Sequence, residues 1–166
     1  MFWRAVAWLA SRPRVADWLI ARAMRTPYTQ ITSPDGQDVY MDRWWLFNPY
    51  PSHAGATLRR YPWCPVSVRV HHIRRADADW HLHDHPWNAR TIILLGGYAE
   101  VREDGRTLLR TAGDTATLQF NEFHRIVEVG ANLGAVTLFI TGRYRGTWGF
   151  KVDGVKVPWR QYLGLQ

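Results

Sequence analysis

The feature that most constrains the fold is a series of short apolar segments, separated by turns rich in glycine and aspartate, that begins near residue 38. The first strand is predicted over Val39 to Phe47 and the second over Val66 to Ile73. Further strands are predicted at 79–85, 90–95, 98–103, 106–110, 115–120, 124–129, 135–141 and 147–152. Asp-Gly pairs at 104–105 and 153–154 are typical of tight hairpins. Many short strands joined in this way predict an all-β sandwich or barrel.

The N-terminal segment has a different pattern. Apolar residues between positions 2 and 25 recur every three or four residues, which favours helix. Pro13 predicts two short helices rather than one. We therefore expect a helical arm (1–30) and a barrel (38–166) within a single domain, since 166 residues provide one ordinary core. The arm can pack on the barrel, on a second subunit in a homodimer, or on a membrane surface.

Charge and composition narrow the class of protein only slightly. The formal charge is +7, but the basic residues are scattered, so contact with nucleic acid is permitted without being indicated. The single cysteine, Cys64, excludes an internal disulfide. No apolar run reaches the roughly 18 residues of a transmembrane span. Arginines 4, 12 and 14 interrupt the pattern of a secretory signal, so we predict a cytoplasmic location.

The most informative stretch places His81, His83 and His85 at alternate positions. On a strand these side chains would share one face. Two imidazoles at i and i+2 can converge on one ion, whereas a row of three extends over roughly 13 Å at the rise of a strand. We predict His83 and His85 as metal ligands. His81 is assigned a supporting or surface role, with ligation as the alternative.

A third ligand is predicted at His124, which follows a turn and opens a new strand. Neutral imidazole binds Fe, Mn, Ni, Cu and Zn well. His53 lies in a proline-rich loop over residues 48–65 and is assigned to the surface. The predicted site therefore takes two histidines from one segment and one from a distant strand.

These residues resemble the two motifs of the cupin superfamily. His83-Asp84-His85 with Gly96 matches the first motif, and Gly113 with the segment 121–124 matches the second. The resemblance covers roughly residues 66–142 and implies a cupin-type jelly-roll β-barrel. His-Asp-His-Pro-Trp at 83–87, Gly-Gly-Tyr at 96–98, Trp-Gly-Phe at 148–150 and Pro-Trp-Arg at 158–160 are further similar to small bacterial and phage cupins described as cysteine dioxygenase-like.

One departure from the first motif matters for the chemistry. Ala89 and Arg90 stand where the motif has a metal-binding carboxylate. The resemblance therefore implies three histidines with open positions, as in cysteine dioxygenase and its thiol-oxidising relatives. The expected cofactor is one divalent metal ion, with Fe first and Zn, Ni or Mn as alternatives.

Three further residues are candidates for the pocket. Arg90 either points into the barrel and binds an anionic substrate as a bidentate clamp, or turns outward to a surface carboxylate. An inward Arg90 needs a counter-charge, for which Asp84 and Glu100 are candidates. Tyr98 is proposed as a catalytic residue and Trp87 as a pocket wall, with core packing as the alternative for each.

Three functions are consistent with these features. The first is a mononuclear non-haem iron dioxygenase that acts on a small thiol or an amino-acid-like anion. The second is a non-catalytic or non-redox metal-binding module that uses Zn, Ni or Mn. The third is a nucleic-acid-associated phage protein, which lacks support from a basic run or a recognition motif.

Overall fold

The computed structural model describes residues 1–33, 36–50 and 59–165, and His53 lies outside them. The helices are α1 (Phe2–Ala10), α2 (Pro13–Met24) and α3 (Trp159–Tyr162). The strands are β1 (Ile31–Thr32), β2 (Val39–Phe47), β3 (Ser67–Ile73), β4 (Trp87–Arg102), β5 (Thr107–Thr111), β6 (Thr115–Leu118), β7 (His124–Val129), β8 (Ala135–Tyr144), β9 (Gly149–Val152) and β10 (Val155–Pro158).

The strands form a curled antiparallel sheet with β4 as its longest member. The order is β1-β2-β3-β8-β4-β5, and β6 and β7 also pair with β4. The first half of β4 lies between β8 and β6, whereas its second half lies between β5 and β7. This exchange of partners curls the sheet into a half-barrel, and β9 with β10 forms a separate hairpin. The predicted all-β jelly-roll class is confirmed.

The two N-terminal helices cover the outer face of this sheet. Pro13 stands in the first turn of α2, where its missing N–H costs no hydrogen bond. Fully buried alanines of both helices pack against Val70, Ile92 and Leu94 of the sheet. Of the placements considered for the arm, packing on the barrel is the one observed. No helix in the described part of the chain has the length and apolar character to cross a bilayer.

Three of the predicted strands differ from the structure. The segment 79–85 is irregular, and His83 alone in it forms bridges, with His124 and Phe150. The predicted strands 90–95 and 98–103 are one continuous strand, because Gly96 allows a close approach instead of a turn. A Cβ at Gly96 would lie 2.0 Å from the carbonyl oxygen of Gly134.

A bulge in β4 decides which side chains face the interior. Before it, alternate residues such as Thr91 and Ile93 point into the barrel, while Ile92 and Leu94 point to the helices. The register with β8 shifts between Ile93 and Leu95. An extra residue reverses the faces of a strand, so even-numbered positions, Tyr98 among them, point inward after the bulge.

Candidate metal centre

The structure brings the side chains of His83, His85 and His124 together inside the barrel. One nitrogen from each ring lies within 4.8 Å of the others. The Nε2 atoms of His85 and His124 are 3.0 Å apart. The ring centroids of His83 and His124 are separated by 4.8 Å.

Backbone pairing places two of these rings side by side. The amides of His83 and His124 each donate to the carbonyl of the other residue at 2.9 Å. Residues that exchange both hydrogen bonds in an antiparallel pair project their side chains to the same face. Asp84 points the other way, where its buried carboxylate accepts from the Gly149 amide at 2.7 Å and from Lys156 at 2.5 Å.

A buried carboxylate orients the third imidazole. Glu100, 1% exposed, lies 3.2 Å from Nδ1 of His124. An ionised carboxylate can only accept, so the proton of His124 belongs on Nδ1 and the lone pair of Nε2 is free to bind a metal. Glu100 also accepts from Arg102 at 2.9 Å and from Arg110 at 2.8 Å. The sequence suggested Glu100 as a counter-charge for Arg90, but its partners are these two arginines.

A second carboxylate lies beside His83. Asp77 accepts from the Ile126 amide at 2.8 Å, and the same oxygen is 3.7 Å from Nδ1 of His83. This separation is too long for a hydrogen bond, so Asp77 acts on His83 through its charge. Two of the three rings therefore lie beside a carboxylate.

Burial keeps two of the imidazoles neutral. Burial, with a smaller contribution from His124, lowers the pKa of His83 to about 4. Burial and the neighbouring His124 and His83 likewise hold the pKa of His85 well below its ordinary value. Neutral imidazole is the form that binds metals, so these two ligands require no deprotonation at pH 7.

The chemistry of the three donors suits one transition-metal ion, although a separation of up to 4.8 Å between two of the nitrogens must shorten to about 4.2 Å or less for both to bind it at about 2.1 Å. Two nitrogens that bind an ion at about 2.1 Å and subtend a right angle are about 3.0 Å apart, as the Nε2 atoms of His85 and His124 are. Nitrogen donors suit Fe, Zn, Ni or Cu better than Mg or Ca. Three ligands leave coordination positions open toward the interior.

The three histidines line a cavity of about 290 Å³. Its walls include Trp87 and Tyr98, the two residues that the sequence placed in the pocket. Trp148 and Phe150 close one side. They are held by ring stacking from the C-terminal segment, Trp159 on Trp148 at 5.5 Å and Tyr162 on Phe150 at 3.9 Å. The cavity suits a small molecule with an apolar part.

The inward orientation considered for Arg90 is wrong. Arg90 belongs to the face of β4 that points to the helices, where its guanidinium lies 4.6 Å from the Trp3 ring and donates to the Thr115 hydroxyl at 3.1 Å. It does not line the cavity that contains the three histidines. Both faces of this part of β4 are covered, and alternation alone cannot tell which of two covered faces is the interior.

His81 does not join the other histidines. Its Nδ1 lies 2.9 Å from the hydroxyl of Tyr162 on α3, and the ring is absent from the cavity wall. Because the segment 79–85 is not a strand, the expected alternation of the three rings does not hold. His81 instead joins the histidine segment to the C-terminal helix.

Sequence reasoning missed several polar residues of the cavity wall, among them Arg69, His71 and Asp77. Arg69 and His71 alternate with Val68 and Val70 on β3. The valines point to the helices, and the polar residues point inward. An arginine and a histidine within a short apolar strand were the available signal.

No protein-family model matches the sequence, and no curated protein is detectably similar to it. A solved cupin-2 domain protein of Rhodospirillum rubrum is similar at a TM-score of 0.53 and 13% identity, over 75% of this chain and 74% of that one. The polyketide cyclase RemF of Streptomyces resistomycificus is similar at a TM-score of 0.51 and 16% identity, over 76% of this chain and 80% of its own. The chain therefore has the cupin fold.

Proposed function

We propose that this cupin barrel is a mononuclear iron enzyme that oxidises a small anionic thiol or amino-acid-like substrate with dioxygen. The observation that carries the proposal is the convergence of three imidazoles on the wall of a small cavity, with no carboxylate of the described residues in the cluster. His83, His85 and His124 are assigned as the metal ligands. Three ligands leave room at the metal for a substrate atom and for dioxygen.

A bound ferrous ion would supply the redox chemistry that amino-acid side chains lack. For a thiol the balance is RSH + O2 → RSO2H, in which sulfur is oxidised and takes both oxygen atoms. No external reductant is then required. Holding both reactants at one centre makes the reaction effectively intramolecular.

The residues of the cavity have separate roles in this proposal. Burial and the neighbouring Glu100 raise the pKa of Tyr98 far above its ordinary value, so the phenol keeps its proton. We assign Tyr98 the role of hydrogen-bond donor to the bound substrate. The aromatic walls formed by Trp87, Trp148 and Phe150 exclude water from the reacting groups.

The test is oxygen consumption by protein loaded anaerobically with one Fe(II) per chain. We expect uptake with at least one member of a panel of small thiols and amino acids, and none with Zn(II)-loaded protein. His85→Ala should abolish uptake, whereas His72→Ala, on β3 but outside the cavity, should not. Stoichiometric iron without uptake across the panel would contradict the proposal and favour a non-catalytic metal-binding module.

A further inference from the structure

Arg69 is a buried cation without an anionic partner. Its residue surface is 3% exposed, and neither Nε nor Nη2 has a hydrogen-bond partner. Among the described residues, no carboxylate forms an ion pair with it. Buried guanidinium groups are normally paired, because an isolated buried charge is strongly unfavourable.

Aromatic rings surround the guanidinium but do not satisfy it. Its central carbon lies 5.1 Å from the Trp87 ring, 5.2 Å from Trp45 and 5.5 Å from Phe139. Cation–π contacts offset part of the cost of burial. They leave Nε and Nη2 of Arg69 without a hydrogen-bond acceptor. The described residues supply no oxygen atom for these two nitrogens.

Two other polar atoms in the same cavity wall also lack partners. They are Nε1 of Trp87 and Nε2 of His71, both buried. Trp87 can only donate, and His71 donates in one of its tautomers. Arg69, Trp87 and His71 therefore line one cavity, and each holds a buried nitrogen without a hydrogen-bond partner.

This space adjoins the three-histidine centre. The Phe139 ring stacks on His71 at 4.9 Å and contacts His85 at 5.5 Å. The ring centroids of Trp87 and His85 are 6.3 Å apart, and the central carbon of the Arg69 guanidinium lies 5.1 Å from the Trp87 ring. A small molecule in the cavity therefore lies beside the three histidines and beside the side chains that hold the unpaired nitrogens.

We propose that Arg69 binds the carboxylate of the substrate, with Trp87 and His71 as further donors. The free Nε and Nη2 atoms form one edge of the guanidinium, and this edge matches the two coplanar oxygens of a carboxylate. Arg43, the other arginine of the wall, already uses its Nε on the carbonyl of Thr29. The substrate class is thus a small carboxylic acid that carries a second group able to reach the metal. The assignment of this second group to the metal rests on the proposed function.

The experiment measures thermal denaturation of metal-free protein at constant ionic strength with two pairs of probes. These are propionate against propionamide and benzoate against benzamide, with methylphosphonate as a tetrahedral anion. We expect the carboxylates to raise the melting temperature and the neutral amides to leave it unchanged. Arg69→Met should abolish the shift, and Arg69→Lys should weaken carboxylate binding at least tenfold, because lysine has no planar fork.

Arg90→Met is the matched control, since Arg90 lies outside the cavity, and it should keep the full shift. Without ligand, Arg69→Met should melt at or above the wild-type temperature, because it removes an unpaired buried charge. If Arg69→Met does not fold, the loss of carboxylate binding in Arg69→Lys tests the proposal in its place.

Equal shifts from carboxylates and amides, a full shift in the lysine variant, no shift from either carboxylate, or a larger shift from methylphosphonate would overturn the proposal. Carboxylate binding by metal-free protein, together with no oxygen uptake by iron-loaded protein, would support Arg69 as the anion site and remove the iron function alone.

Discussion

The residue that most strongly determines the chemistry of the centre, apart from its ligands, is Glu100. Burial alone would raise its pKa, but the hydrogen bond and charge of His124 together with Arg102 outweigh burial and lower the pKa to about 2. The carboxylate is therefore ionised at neutral pH. It fixes the proton on the outer nitrogen of His124 and increases the basicity of the inner one.

Glu100→Gln tests this role. We expect metal affinity to fall about 10–100-fold, since an outer hydrogen-bond partner of a ligating histidine is lost. Stability should also fall by about 3–5 kcal/mol, because Arg102 and Arg110 lose their buried anion. Competitive metal titration and urea denaturation measure the two effects.

Glu103→Gln is the matched control for this change, because Glu103 is partly exposed and, within the described part of the chain, forms its ion pair with Lys151 alone. This variant should change metal affinity and stability only slightly. Unchanged metal affinity in Glu100→Gln would show that the carboxylate does not act on His124.

At the scale of elements, the bulge in β4 determines what the interior contains. It turns Tyr98 and Glu100 inward, and the close approach at Gly96 accompanies it. Gly96 has φ +66°, and any Cβ there would meet the carbonyl of Gly134. A strand without the bulge would direct Tyr98 and Glu100 away from the histidines.

Gly96→Ala should destabilise the protein by about 3 kcal/mol or more and weaken metal binding, because the clash can be relieved only by moving β4. Gly105→Ala provides the control. It has φ +80° in the β4–β5 hairpin, but nothing lies within 4 Å of the added methyl group, so it should cost only about 1 kcal/mol and leave metal binding intact. Chemical denaturation and metal titration compare the two variants. Equal losses of stability, or normal metal binding in Gly96→Ala, would contradict this account of the bulge.

Elements with local signals were predictable from the sequence. The first predicted strand, Val39–Phe47, coincides with β2, and Pro13 separates the two helices as expected. Both Asp-Gly hairpins are confirmed by the pairing of the strands that flank them. Each of these signals depends only on residues near it in the chain.

The orientation of strands that are covered on both faces was not predictable. On β3 the face with Arg69 and His71 is the interior, and on β4 the face with Arg90 is the exterior. The alternation of residues along a strand is equally consistent with either face being the interior. The packing of α1 and α2 on one face determines which face is the exterior. His83 and His85 were predicted to converge because of strand alternation, whereas an irregular segment bridged to His124 brings them together.

For the whole molecule, burial of neutral histidines links folding to pH. The pKa of His83 is about 4 in the folded chain and about 6.5 in an unfolded one. Between these values the unfolded chain binds a proton that the native protein does not, so stability falls as the pH falls. His83 alone corresponds to a loss of about 3 kcal/mol, and His85 acts in the same direction.

Urea denaturation of chelator-treated protein between pH 7.5 and 4 measures this dependence. Stability should be highest above about pH 6.5 and decrease steadily toward pH 4, and His83→Asn should reduce the slope. A free energy of unfolding that stays constant between pH 7 and 5 would contradict this prediction. It would show that the metal-free protein leaves these histidines hydrated or pairs them with other polar groups.

The central claim is that three imidazole nitrogens, two from the segment before β4 and one from the start of β7, bind a single ion. X-ray absorption fine structure of the metal-loaded protein tests it most directly. We predict three imidazole nitrogens at about 2.1 Å in the wild type and two in His124→Ala, at one ion per chain. A first shell of oxygen atoms without imidazole scattering, or an identical shell in His124→Ala, would contradict the claim.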